Sequence, residues 1–184
     1  MMKKNKLKLI VFTGWPGDGK SELSNKIENN SYSIISIDDL RKEMYEEKHN
    51  QLNYPEEWCP IWSEAILQRD RILSLNKNVI IDSCAHTKRI RDFYFNTSKI
   101  EKILNFRDLS LNKYLVNLTV KDEERHKRLE LDGDLIAGKQ SIKRMQKEFQ
   151  EPEMYLGPDT NLIFLENNTL EDQLNCKDYL MNKL

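Results

Sequence analysis

Five short apolar runs punctuate the chain, at residues 6–13, 33–37, 78–81, 114–120 and 161–165. Each is nearly continuous in hydrophobicity and rich in Ile, Val and Leu, the pattern of a strand covered on both faces. Between them, apolar residues return every third or fourth position, which predicts helices over 21–29, 39–48, 56–75, 87–106, 121–131, 139–149 and 170–180. Pro55 opens the third of these as a first-turn residue, Asp132-Gly133-Asp134 breaks the chain after the fifth, and Pro152 follows the sixth. Strands alternating with helices at this spacing form βαβ units, so the expected fold is an α/β domain: a five-stranded parallel sheet flanked by helices. No repeat or Pro/Gly/Ser linker interrupts it, and one domain spanning 1–184 is expected.

Composition narrows the function classes. Twenty-nine Lys and Arg against 30 Asp and Glu give a formal charge of −1, which excludes a globally basic nucleic-acid binder but leaves room for a local basic site. The three cysteines, Cys59, Cys84 and Cys176, lack any metal-ligand spacing, and His49, His86 and His126 share none either. A disulfide framework or zinc site is therefore not expected, and a reducing, cytoplasmic setting is. The apolar stretch behind Met1-Met2-Lys3-Lys4 is too short for a signal peptide, and no run of 18 apolar residues marks a membrane span.

The chemistry begins at Gly14-Trp15-Pro16-Gly17-Asp18-Gly19-Lys20-Ser21, a full match to G-x-x-x-x-G-K-[ST] placed after a strand and before a helix. Glycines at this spacing let successive backbone N–H groups turn inward around an anion, and the helix start adds its positive end. Gly14 through Glu22 are thus the expected ATP-binding segment, with Lys20 on the β- and γ-phosphates and the Ser21 hydroxyl on Mg2+. A GTPase would also carry a base-reading Asn-Lys-x-Asp; Asn76-Lys77-Asn78-Val79 lacks its Asp. A single P-loop in 184 residues favours a small phosphotransferase.

Asp38 and Asp39 follow the second strand, at the sheet edge where open α/β folds bind their ligands. Phosphoryl transfer to a hydroxyl needs a carboxylate to take the proton, which suits Asp38, with Asp39 as helix cap. Arg41, one turn on, could bind an acceptor phosphate. Gly-x-Pro-Gly-x-Gly-Lys-Ser followed by Asp-Asp-x-Arg resembles the kinase domain of phage-type polynucleotide 5′-hydroxyl kinases. That resemblance implies Asp38 as general base, Arg41 on the acceptor's phosphate, ATP and Mg2+ as co-substrate and cofactor, and a 5′-hydroxyl nucleic-acid end as partner. Val79-Ile80-Ile81-Asp82-Ser83 with Lys88-Arg89 beyond it is similar to that family's third strand, which implies acceptor-site roles for Asp82 and its neighbours Ser83 and Arg89. Cys84 stands where the family usually has Asn, and the Asp-x-Asp-x-Thr signature of the attached 3′-phosphatase is missing. Nucleoside, nucleotide and small-metabolite kinases share the wider fold and stay as alternatives, as does a P-loop ATPase module.

A charged stretch after the fourth strand, Lys121 to Arg128, would open a helical lid over about 121–150. An arginine there can neutralise the transferring phosphate; Arg128 and Arg125 share a face, and Arg128 is the first choice. Trp62 fits an apolar stripe with Ala65 and Ile66, whereas Trp58, with Tyr54 nearby, could stack on an acceptor base. Lys88, Arg89 and Arg91 form a basic cluster on the acceptor side. The base-reading loop is expected near Tyr155 to Asp159.

Overall fold

A computed structural model describes residues 5–27, 31–45, 59–133, 135–155 and 159–184. The first strand, β1 (Asn5–Thr13), explains the continuous apolar run: Leu9 and Val11 pack to one side of the sheet, Ile10 and Phe12 to the other, and all four are fully buried. With β2 (Tyr32–Ser36), β3 (Asn78–Asp82), β4 (Leu109–Thr119) and β5 (Thr160–Glu166) it forms a five-stranded sheet in the order β2-β3-β1-β4-β5, every pair parallel. The order reverses at β1, the position whose carboxyl end carries the ligand crevice in open α/β sheets.

Helices α1 (Lys20–Ile27) and α8 (Leu170–Lys183) cover one face through Leu23, Ile27, Cys176 and Leu180. The other face is covered by α2 (Ile37–Tyr45), α3 (Cys59–Ser74), α4 (Lys88–Phe95) and α5 (Ser98–Phe106). Trp62 belongs to this second layer, 1% exposed and tilted against Phe93. Each such side chain stabilises the layer by ~1.5–3 kcal/mol relative to exposure. Beyond β4, α6 (Asp122–Leu131) and α7 (Leu135–Gln146) occupy the stretch expected as the lid segment, followed by a 3-10 turn at Pro152–Tyr155. Among the described residues, no helix is long and apolar enough to cross a membrane.

Several boundaries differ from the sequence reading, each for a tertiary reason. The helix expected over 87–106 is two helices, because Arg69 of α3 donates to the carbonyls of Tyr94 and Asn96 and takes acceptors that a continuing helix would use. Strand β4 starts at Leu109 instead of 114, since the early residues of β1 offer it partners from Asn5 onward. Helix α2 starts at Ile37: Ser36 Oγ accepts from the Asp39 N–H at 3.1 Å, so Ser36 is the cap and Asp39 lies inside the first turn. Helix α7 starts at Leu135 and stops at Gln146, earlier than expected at both ends. His49, Tyr54, Trp58 and Asp134 lie outside the described residues.

Candidate active site

The phosphate loop joins Thr13 at the end of β1 to Lys20 at the start of α1. Gly14 and Gly19 are required by geometry, with φ of 142° and 83°. A Cβ at Gly14 would stand 2.5 Å from the Leu118 carbonyl oxygen, and one at Gly19 would stand 2.4 Å from Asn167 Nδ2. Lys20 Nζ lies across the loop, donating to the carbonyls of Gly14 (3.1 Å) and Trp15 (2.7 Å). Burial disfavours the charged amine, but the acids around it (Cys84, Asp18, Asp82 and Asp38) outweigh that and push it up. Burial raises the Cys84 thiol as well, so the three carboxylates carry this effect at neutral pH.

Asp18 would be an odd choice beside phosphates if its charge faced them. It does not. The side chain is wholly buried and accepts from the Trp15 N–H and from Arg125 Nε, both at 2.7 Å. Burial still pushes its carboxyl above the ordinary range, against the pull of Lys20 and Arg125. Arg125 also donates to the Val120 carbonyl at 2.8 Å and to Asp122. Asn167, at the turn after β5, is equally buried; its Nδ2 donates to the Asp18 carbonyl at 2.8 Å, and its own carbonyl accepts from Arg128 at 2.6 Å. The loop is thus braced from behind by α6 and by the β5–α8 turn.

On the other side stand the carboxylates. Ser36 of β2 is in register with Asp82 of β3, and Val11 of β1 with Ile81, so the strand ends carry Asp38 and Asp82 to the same edge as the loop. Burial raises the Asp82 carboxylate, while Ser21 and Lys20 beside it draw it down. The exposed Ser21 hydroxyl and the buried Asp82 carboxylate at the helix start would offer Mg2+ the hard oxygen donors it prefers, leaving its other ligands to phosphate and water. Asp38 is 68% exposed and pairs with Arg41 Nη2 at 2.7 Å.

The AAA domain family profile matches residues 9–152. The chain belongs to the AAA domain family. No curated protein sequence matches it. Solved structures of the same fold include a sugar kinase from a Janibacter species, with 13% identity over 95% of each chain and a TM-score of 0.63. A fungal RNA kinase is 16% identical over 98% of this chain and 86% of its own, with a TM-score of 0.62. The Mycobacterium tuberculosis APS kinase, solved with AMPPNP and APS, is 17% identical over 96% and 99%, with a TM-score of 0.55. The sheet, loop and flanking helices are those of a P-loop kinase fold.

Within this AAA domain, most residues singled out from sequence gather at the loop, and some take other duties. Arg125 takes a bracing position behind the loop, its three nitrogens engaged by buried Asp18, the Val120 carbonyl and exposed Asp122. Arg128 lies against Gly19, held by Glu124 at 3.2 Å and by the Asn167 carbonyl, and stays the candidate lid arginine. Glu22 turns to Lys26 at 3.1 Å, so its contribution to the loop is its place in the first turn of α1. Pro16 and Gly17 complete the loop. Ser83 faces α4, with its Oγ 3.2 Å from the Tyr94 hydroxyl, leaving Asp82 as the member of that pair beside the loop. Arg89 is exposed in the first turn of α4. Arg91 leaves the basic cluster: it is 1% exposed and donates to the carbonyls of Ala85 and Glu151.

Four contributors were missed. Phe149 stacks on Trp15 with ring centroids 4.7 Å apart, docking the end of the lid segment onto the phosphate loop. Gln150 accepts from the Lys88 N–H at 2.6 Å and donates its own N–H to the His86 carbonyl at 2.9 Å. Burial, with Arg144 and Arg91 nearby, pushes His86 down to about 4, so its imidazole is neutral although Glu148 lies 3.9 Å away. Asn167 is the fourth. It places the β5–α8 turn beside Gly19 and Arg128; residues 156–158 of the expected base-reading segment lie outside the described residues. No local pattern marks these four, since each acts through a partner distant in sequence.

Proposed function

We propose that this protein is an ATP-dependent polynucleotide 5′-hydroxyl kinase, passing the γ-phosphoryl group of ATP to the 5′-hydroxyl of RNA or DNA. The observation that carries the reading is the sheet edge on which Asp38, paired with Arg41, stands beside Asp82, Ser21 and Lys20. The loop N–H groups and Lys20 hold the phosphates, and Arg128 adds positive charge from the lid side. Ser21 and Asp82 would hold Mg2+, which neutralises charge on the phosphates when bound. Asp38 accepts the proton as the 5′-oxygen bonds to the γ-phosphorus and ADP departs. Arg41 grips a phosphate of the acceptor, for which its planar fork is suited. The fold shared with the fungal RNA kinase supports this choice of acceptor.

The fold shared with the sugar kinase and the APS kinase favours a second reading, a small-molecule kinase. Incubation with labelled ATP, Mg2+ and separate panels of 5′-hydroxyl oligonucleotides, nucleosides and sugars decides between them. Label on oligonucleotides is expected. Label only on small molecules would establish the second reading, and ATP turnover indifferent to every acceptor would mean an ATPase module. Asp38→Ala should lower transfer by ~10²–10⁴-fold while the Kd for ATP stays within about twofold.

A further inference from the structure

A groove of about 860 Å³ lies between α3, α4 and α5, closed on one side by the end of the lid segment. Its size falls in the range of nucleotide and small-ligand sites, ~300–1,000 Å³. Ile66 and Phe93 give it apolar walls, and Arg89 and Lys99 stand on its rim. Not every charge there is available. Arg69 is held by Asp70 at 2.7 Å, Lys88 pairs with Asp92, and Glu148 faces His86 from the lid side. Arg89 and Lys99, both exposed, make no hydrogen bond or ion pair among the described residues.

The groove also adjoins the candidate active site. Thr87, Lys88 and Arg89 leave the loop that starts at Asp82, and Gln150 on the groove wall directly follows Phe149, which is stacked on Trp15 of the phosphate loop. A short chain segment therefore separates the reacting end from two cations unpaired among the described residues and an aromatic wall. Alternating anionic and flat apolar groups fit such a lining, and those are the repeating parts of single-stranded nucleic acid.

We infer that this groove holds nucleotides of the acceptor strand beyond the one being phosphorylated, with bases against Phe93 and backbone phosphates on Arg89 and Lys99. The inference rests on the polynucleotide reading and gives it a strand path. It makes the acceptor preference depend on length: a nucleoside 3′-phosphate reaches Arg41 only, whereas an octamer also reaches the groove.

The test measures kcat/KM for a nucleoside 3′-phosphate and for a 5′-hydroxyl octamer over a range of salt, in the wild type, Lys99→Glu and Lys99→Arg. In the wild type the octamer should be favoured by tenfold or more, about a log unit. Its logarithmic salt slope should be steeper by about 1.4, at about 0.7 per neutralised phosphate. Lys99→Glu should remove about half of that added slope and most of the length preference, and Lys99→Arg should restore both. Equal slopes for the two acceptors, or a length preference untouched by Lys99→Glu, would overturn the groove and leave the kinase reading standing. A wild-type protein that labels no oligonucleotide would overturn the polynucleotide reading itself, and the groove with it.

Discussion

Asp18 and Asp38 are carboxylates that both act on Lys20, yet the first has no exposed side-chain surface and the second is 68% exposed. Asp18 belongs to a buried brace tying the phosphate loop to α6 and the β5–α8 turn. Asp38 stands at the open edge with a single described partner one helical turn away. The phosphate loop is thus fixed by packing and long-range hydrogen bonds, while the proposed acceptor half rests on the Asp38–Arg41 pair at the start of α2, at the open edge. A buried polar network tolerates little change, whereas an exposed pair can be exchanged at low cost in stability.

The contrast can be broken most sharply by paired substitutions on activity. Lys20→Ala should lower transfer by at least ~10²–10³-fold and weaken ATP binding in calorimetry, because it removes charge from ground and transition states alike. Should Lys20→Ala bind ATP as well as Asp38→Ala does, the division into nucleotide and acceptor halves would fail.

Stability gives the next largest effect. Arg125→Ala leaves the Asp18 carboxylate buried without its main partner, an expected loss of ~3–5 kcal/mol in denaturant unfolding. Arg41→Ala, at a pair that is half in water, should cost less than ~1 kcal/mol. Its effect should appear instead as a higher KM for acceptors bearing a 3′-phosphate, with the KM for ATP nearly unchanged. Similar losses of stability in the two variants would show that both halves are equally braced.

A smaller effect tests how the lid end is held. His86 is depressed in the folded chain from 6.5 to about 4. Its neutral form therefore favours folding above pH 6.5. That contribution is lost as pH falls towards 4, because the unfolded chain binds the proton first; the amplitude is ~3 kcal/mol. Burial raises Asp18 and Asp82, which titrate with the opposite sign, so the useful quantity is the difference between the wild type and His86→Gln. The wild type should lose more stability than His86→Gln between pH 6.5 and 4, and parallel curves would place His86 in water.

Sequence alone determined the alternation of strands and helices, the phosphate loop and the acids at the ends of β2 and β3. These are local signals: unbroken apolar runs for strands covered on both sides, glycines where φ is positive, and a lysine and serine opening a helix. The tertiary structure decided which partner each buried polar group takes. Arg125 meets Asp18 across 107 residues and Asn167 reaches the Asp18 carbonyl across 149. Arg69 ends α4 by capturing carbonyls of another helix, and Phe149 finds Trp15 only once the lid segment folds back. Periodicity fixes which face of an element is apolar. It carries no information on which distant element will cover that face, and so none on which charge a buried arginine will neutralise.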